Sequence, residues 1–584
     1  MLDGVSRIVC AVVDPAELTR NTHPSPLYRA SAESAFQSVG RCIDLLNTDS
    51  DIYKTALSLI PHYTPGTEDY RMLEAVCKEY EMDGIHLPFQ ERDKAARIKG
   101  RITDLETMYV REAQEGGFFV YEDKEGWGGR AFGEDTMEAV RNAYKGQGGE
   151  VRDGETQGVT EPWFTGNMLR LVPSSSVRRD IYYHENTKSP LNLSTLEELR
   201  KERRDLAVLL GYKDWCRKIQ QGKMADGKVG RFLEGVKKKE RGKWKLEMEE
   251  LADFKRKYIT NGLNGNVEPW DVPYLQNLIT QKELEEGGED EFEWNGTVSE
   301  AVDKLREWTD EFLGYQLQDR PFEEGEGWGT EDSSGYLTKS ALVDGRGEDV
   351  GIIYFDLSPR EGKYGHSAHF TITGGYEEWD PTYTVVTGRS TPRVCVVMNI
   401  GGRDGKARAG AGELETLFHE YGHAVHAVMS RTRYQHVSGT RGPTDFVEVV
   451  SHVTEKYAGR GEGRWRGIER YTQAMYSEFD QRCFGVKGEG RGGLDIWRGV
   501  NEEFGVPYME GTHWYTGFGH LSSYGGVYYS YLWAQELAGV IHGKIGGEGK
   551  KERVNTFRKL VEPGGSKDPI EIVEGVLGRE IKLG

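Results

Sequence analysis

One helix-length segment constrains this chain more than any other: Gly412-Glu-Leu-Glu-Thr-Leu-Phe-His419-Glu420-Tyr-Gly-His423-Ala-Val-His426-Ala-Val-Met-Ser430. Leu414, Leu417, Phe418, Tyr421, Val425, Val428 and Met429 recur every three or four residues, which predicts a buried amphipathic helix. At about 100° per residue, His419 and His423 stand one above the other on one face, spaced to grip a single metal ion. Glu420 lies on the flank of that face, where it can reach water at the metal without being a ligand. Chance alone gives about 0.05 H-[D/E]-x-x-H matches in a chain with 14 histidines and 95 acidic residues. Five of the 14 histidines fall within residues 419–452, where even spreading predicts about 0.8. Two unrelated core histidines are therefore a poor explanation, and a zinc metallopeptidase a good one.

Two histidines leave a tetrahedral zinc ion short of one protein ligand plus its open position. The metzincin pattern would put a third histidine ten residues after the first, but that position is Met429. His426 lies about 10 Å along the axis from His419, too far to share an ion with both histidines, so it is expected in the core or behind the ligands. The third ligand is expected from the next helical segment, 444–455, where Glu448, His452 and Glu455 share one face. Spacing leaves all three open.

The 584 residues allow two to four domains and a large core without disulfides. A net charge of −20 gives no sequence-wide attraction for nucleic acid or anionic lipid, and a basic peptide is the better-matched partner. Its six cysteines are far apart in sequence, which points to a reducing compartment and small buried hydrophobes. No run approaches the ~18 apolar residues of a membrane span. The first 20 residues mix Asp3, Asp14 and Glu17 with Arg7 and Arg20, unlike a secretory or transit segment; this reads as a cytosolic chain or one whose address has been removed.

Most of the chain has helical texture. Ser194 and Glu197 look like a capping box for a helix over 194–211, with Gly211 as its stop, and 232–258 reads as a second long helix. Lys237, Lys238 and Lys239 read as its solvated face. Residues 350–355, 368–373 and 393–399 read as strands of one small sheet within about 350–400. The Gly-rich pieces at 459–463, 485–493 and 546–549 read as surface loops.

His419-Glu-Tyr-Gly-His-Ala-Val-His426, then Arg431-Thr-Arg-Tyr-Gln-His-Val-Ser-Gly-Thr-Arg441 and Asp445-Phe-Val-Glu448, resemble the thimet oligopeptidase family of M3 zinc metallopeptidases. Within that family, the branch of mitochondrial intermediate peptidases is the nearest match. Tyr354 to His366 is similar to the family's strand beside the active site, and His520 to Trp533 to its Gly/Tyr-rich substrate loop. Recognisable similarity runs from about residue 180 to the C-terminus. The resemblance implies His419, His423 and Glu448 as zinc ligands, Glu420 as general base, and Glu455 as a carboxylate supporting the ligands. It also implies that His520, Tyr524 and Tyr531 face the scissile carbonyl, with Gly525, Gly526 and Tyr528 in the substrate loop. The implied fold is mostly helical, two lobes around a deep channel: an N-terminal helical region over 1–175 and a catalytic domain over 176–584, its zinc-site helices at about 412–457.

Three features depart from the pattern. Val450 stands where relatives usually have proline, the stretch from Glu448 to His520 is short and Gly-interrupted, and no presequence is visible. The first two leave the zinc site expected intact, with a helix after Glu448 missing or altered.

The chemistry expected is hydrolysis. Zinc lowers the pKa of water it holds from 15.7 to ~7. Glu420 takes that proton and delivers it to the leaving amine. A phenol donating to the oxyanion is worth ~3 kcal/mol. Gly525 and Gly526 suggest a hinge by which the tyrosines close over peptide. The substrate expected is an unstructured peptide; the resemblance further implies removal of a short N-terminal octapeptide from basic, imported precursors already cut once, inside the mitochondrial matrix. The alternatives are a general cytosolic oligopeptidase and an inactive peptide-binding protein.

Overall fold

Helices form wherever apolar residues recur at helical spacing, and a five-stranded sheet interrupts them before the motif segment. The computed structural model describes residues 2–581 apart from 115, 153, 287–293, 329–336, 381, 383, 401–407 and 460–462. The expected helix at 194–211 spans Asn192–Leu209, and Ser194 does not cap it. Tertiary contacts set its start instead: buried Asn192 donates its amide to the carbonyls of Tyr109 (2.9 Å) and Thr516 (2.8 Å). The long helix spans Val229–Tyr258. Its basic run is not simply solvated, since Lys237 pairs with Glu503 and Lys239 with Glu536.

The sheet is larger than 350–400. Its strands are β1 (Gln316–Asp319), β2 (Leu337–Val343), β3 (Asp349–Asp356), β4 (Ala368–Thr373) and β5 (Arg393–Val397). Their spatial order is β1-β2-β3-β5-β4, with β3 and β5 parallel and the other pairs antiparallel. Residues Gly351–Asp356 are buried throughout because β3 is covered on both faces. Alternate side chains divide between two cores. Ile353, Phe355, Val394 and Val396 join the main core, whereas Ile352, Tyr354, Cys395 and Val397 pack with Leu18 of the first helix. Strand β3 is interior to the sheet and β4 ends it.

The main core runs from Ala95 to Val576, and smaller clusters lie under the N-terminal helices and around a β-pair, Phe118–Glu122 with Glu155–Val159. Five cysteines are buried as expected, but Cys42 is exposed. Among the described residues no helix is long and apolar enough to cross a membrane. Between Glu448 and His520 the chain forms two helices, Arg466–Phe484 and Gly493–Phe504. The Gly-rich piece at 459–463 falls largely outside the described residues. That at 485–493 leaves Phe484 and holds one 3-10 turn before the next helix.

Candidate metal centre and active site

The motif helix, Ala411–Met429, buries every apolar residue of its predicted stripe at 1% exposure or less. It lies against the helix Thr444–Glu455. The approach is close because Gly422 faces that helix: a Cβ there would stand 2.7 Å from the Ser451 Cα and 2.8 Å from the Thr454 Oγ1. Sequence reasoning passed over Gly422, although a glycine inside a strong helix costs about 1 kcal/mol against alanine and signals a packing reason. Val450 is fully buried, and the helix runs unbroken through it.

This packing lets one carboxylate oxygen serve both motif histidines. The Glu448 Oε2 is 3.3 Å from the His419 Nε2 and 3.5 Å from the His423 Nε2. Behind them Glu455 bridges two rings, its Oε2 2.9 Å from the His419 Nδ1 and its Oε1 2.8 Å from the His452 Nδ1. Bonds of 2.0–2.2 Å in a tetrahedron put ligand atoms about 3.3–3.6 Å apart. The two distances from the Glu448 oxygen therefore fit a shared divalent ion, and two imidazole nitrogens with one carboxylate oxygen are a donor set suited to zinc. A second grouping, His419, Glu448 and His452, brings one donor atom of each residue within 4.8 Å of the others.

The carboxylates favour positive charge on the ring nitrogens. Burial alone would lower the His419 pKa, but hydrogen bonds with Glu448 and Glu455 push it up to about 10. Burial likewise opposes ionisation of Glu448 and Glu455, yet the histidines hold Glu448 well below the usual carboxylate range and Glu455 at about 2. Glu420, only 8% exposed, is raised by burial, with His423 and His419 pulling it back; the main-chain amide of His369 on β4 also favours its anion. His426 is core, as expected. It is fully buried, packs edge-on against Phe446, and has no hydrogen-bond partner at either ring nitrogen.

The Gly/Tyr segment reaches the same place. A cavity of about 440 Å³ is lined by His419, His452, Glu455, His520, Tyr528 and Tyr531, among others. Tyr524 and Tyr531 have ring centres 5.7 Å apart, with the Tyr531 hydroxyl directed at the Tyr524 oxygen. Burial raises both phenols, and Glu448 adds to it, so both stay neutral and able to donate. Burial lowers His520, with His366 adding to the effect.

The expected glycine hinge is a fastened turn. Trp215 donates its Nε1–H to the Gly525 carbonyl (2.9 Å), and Gln220 and Gln481 donate to that of Gly526 (2.7 and 2.9 Å). Gly526 has φ 89°, and a Cβ on Gly525 would meet the Leu521 carbonyl oxygen at 2.7 Å. These glycines serve the turn and its packing, and both carbonyls accept hydrogen bonds within it. Beneath the turn is Asp480, which sequence reasoning missed. Its signal was an acid set among Tyr471, Ala474, Met475, Phe479 and Cys483 in one helix.

Fold and side chains together define a mostly helical hydrolase-like scaffold with a buried histidine–carboxylate metal cradle. The chain belongs to peptidase family M3, whose sequence profile matches residues 168–460 and 463–583. It is similar to the mitochondrial intermediate peptidase of Pongo abelii, 28% identical over 99% of this chain and 81% of the relative. The mitochondrial intermediate peptidase of Arabidopsis thaliana is 27% identical over 99% of this chain and 86% of the relative. Among solved structures, PZ peptidase A with inhibitor 2 shares the fold at TM-score 0.52 and 13% identity, over 97% of this chain and 85% of that one.

Proposed function

We propose that the protein is a zinc endopeptidase that hydrolyses unstructured peptides and removes short N-terminal octapeptides from imported mitochondrial precursors in the matrix. The observation that carries the reading is the convergence of His419 and His423 on one Glu448 oxygen, with Glu420 beside them. His419, His423 and Glu448 would hold the zinc, and Glu455 would orient His419. Bound zinc supplies Lewis acidity, which polarises the scissile carbonyl and lowers the pKa of water.

Glu420 takes a proton from the attacking water as its oxygen adds to the carbonyl carbon, then gives that proton to the amine nitrogen as the C–N bond breaks. Tyr524 and Tyr531, kept neutral by burial, donate to the oxyanion, with His520 beside them. Tyr528 lines the same cavity and would contact the peptide there. The edge strand β4, whose His369 amide lies near Glu420, is placed to add an extended peptide by main-chain hydrogen bonds. Division of the chain at 175/176 and the enclosing two-lobed channel belong to the same proposal. The precursor-processing part rests on the names of the relatives.

The deciding experiment is Glu420→Gln in the zinc-loaded protein. It is expected to keep one zinc per chain and lose cleavage of a quenched fluorescent peptide. A variant retaining more than about 10% of wild-type kcat would contradict the general-base role, since general acid–base groups contribute 10²–10⁴-fold.

A further inference from the structure

The segment from Leu521 to Tyr531 presents Tyr528 and Tyr531 to the cavity, yet its backbone belongs to no sheet and only one short helical turn, His520–Ser523, precedes the glycines. Side chains from three helices hold its backbone. Arg203, on the Asn192–Leu209 helix, donates to the carbonyls of Leu521 (2.8 Å) and Ser522. Trp215 and Gln220, on Trp215–Gln220, take the glycine carbonyls described above. The third anchor differs from these because it is an acid. Asp480 of the Arg466–Phe484 helix is fully buried, and its two oxygens accept different amides: Oδ1 from the Gly526 N–H (2.7 Å) and Oδ2 from the Tyr528 N–H (3.2 Å). Gln481 adds a third donor to the carboxylate, its Nε2 lying 3.3 Å from Oδ2, while Gln220 donates to the Gln481 side-chain Oε1 at 2.8 Å. No ion pair of Asp480 appears among the described residues.

A buried carboxylate is costly unless its hydrogen bonds require the charge. Here they do, because every donor aimed at Asp480 is an N–H and both oxygens must accept. We infer that Asp480 is a positioning residue for hydrolysis: its carboxylate fastens the Gly526–Tyr528 backbone and thereby sets where Tyr524, Tyr528 and Tyr531 stand against the His419–His423–Glu448 cluster. Protonation or amidation turns one oxygen into a donor facing another donor, and one of the two straps is lost. The surroundings make that protonation reachable. Burial pushes Asp480 up to about 7, against the two amides and the Arg203 charge. The other titratable groups facing it are Cys216, Cys483 and Tyr528, all neutral near that pH because burial raises each. Since the group's pKa is raised, the fastening is complete above pH 7 and is lost as pH falls below it.

This inference rests on the peptidase reading for its catalytic half only, so the test reads the strap and the activity separately. In the zinc-loaded protein, D480N is expected to lower kcat by about 10- to 100-fold with little change in KM, as an ångström-scale misplacement of catalytic groups does. Zinc content should stay at wild type, and amide hydrogen exchange over 521–531 should speed up. Wild-type protein should show the same faster exchange, beyond the intrinsic pH effect, when pH drops from 8 to 6; this arm decides the matter even if D480N does not fold. Unchanged exchange over 521–531 in both arms would overturn the inference, as would unchanged kcat in a folded D480N. Faster exchange in a wild-type protein that cleaves no peptide would overturn the peptidase reading and leave the strap standing.

Discussion

Gly422→Ala tests the helix contact on which the metal cradle depends. The new methyl would sit 2.7 Å from the Ser451 Cα, a backbone atom that cannot rotate away, whereas ordinary contacts begin near 3.4 Å. The two helices must therefore separate by about 0.7 Å, the difference between those distances. Glu448 lies one turn from Ser451 on the same helix and moves with it, while His419 and His423 stay on the other. Metal–ligand distances tolerate only about ±0.2 Å, so the displacement exceeds tolerance roughly threefold.

Overpacking costs about 1–3 kcal/mol, and the better helix propensity of alanine returns about 0.8–1.0 kcal/mol. The fold is thus expected to survive, weakened by about 0–2 kcal/mol. Zinc affinity is expected to fall at least 10-fold, or about 1.4 kcal/mol. Chelator competition at fixed pH measures the affinity, and thermal melting followed by circular dichroism checks the fold. Gly539→Ala is the control, because a Cβ there meets nothing within 4 Å and the residue lies inside the helix Ser530–Gly546. Wild-type zinc affinity in G422A would refute the idea that this close approach builds the cradle.

Two further outcomes follow from the same geometry. Glu455→Ala removes the partner of both His419 and His452 and should weaken zinc binding ~10–100-fold, whereas His426→Ala should leave binding intact; the reverse pattern in chelator titration would move the ligand assignment. Because the chain carries −20, kcat/KM for basic N-terminal peptides should exceed that for acidic peptides of equal length and fall with added salt; equal, salt-independent rates would favour a general oligopeptidase.

What was legible in the sequence was local. His419 and His423 are one turn apart, so their common face needs nothing but helical geometry. Strands β3, β4 and β5 stood out as apolar or β-branched runs, β3 because it is buried on both faces. By contrast, β1 is the polar Gln316-Leu-Gln-Asp319 and β2 mixes Thr338, Lys339 and Ser340 with apolar residues, so neither carried a clear period. The start at Asn192 depends on carbonyls 83 and 324 residues away, which no capping rule can see. Choosing among Glu448, His452 and Glu455 likewise needed the second helix in place. All three share a face, and only the interhelical fit sends Glu448 to the Nε2 side of the histidines and Glu455 to the Nδ1 side.

The same distinction explains Asp445, which reads as part of a motif but whose work is tertiary. It is fully buried three residues before Glu448, accepts the amides of Met224 (3.2 Å) and Ala225 (3.0 Å), and receives the Tyr529 hydroxyl at 3.1 Å. Tyr529 directly follows Tyr528, the residue whose amide Asp480 holds. The tyrosine segment is therefore tied at neighbouring positions to two acids on different helices, one of which also carries Glu448. Displacing Asp445 would disturb the metal helix and the tyrosines together, whereas displacing Asp480 would disturb the tyrosines alone. Two buried carboxylates thus bear on one distance, that between the histidine–glutamate cluster and the phenols of the tyrosine segment.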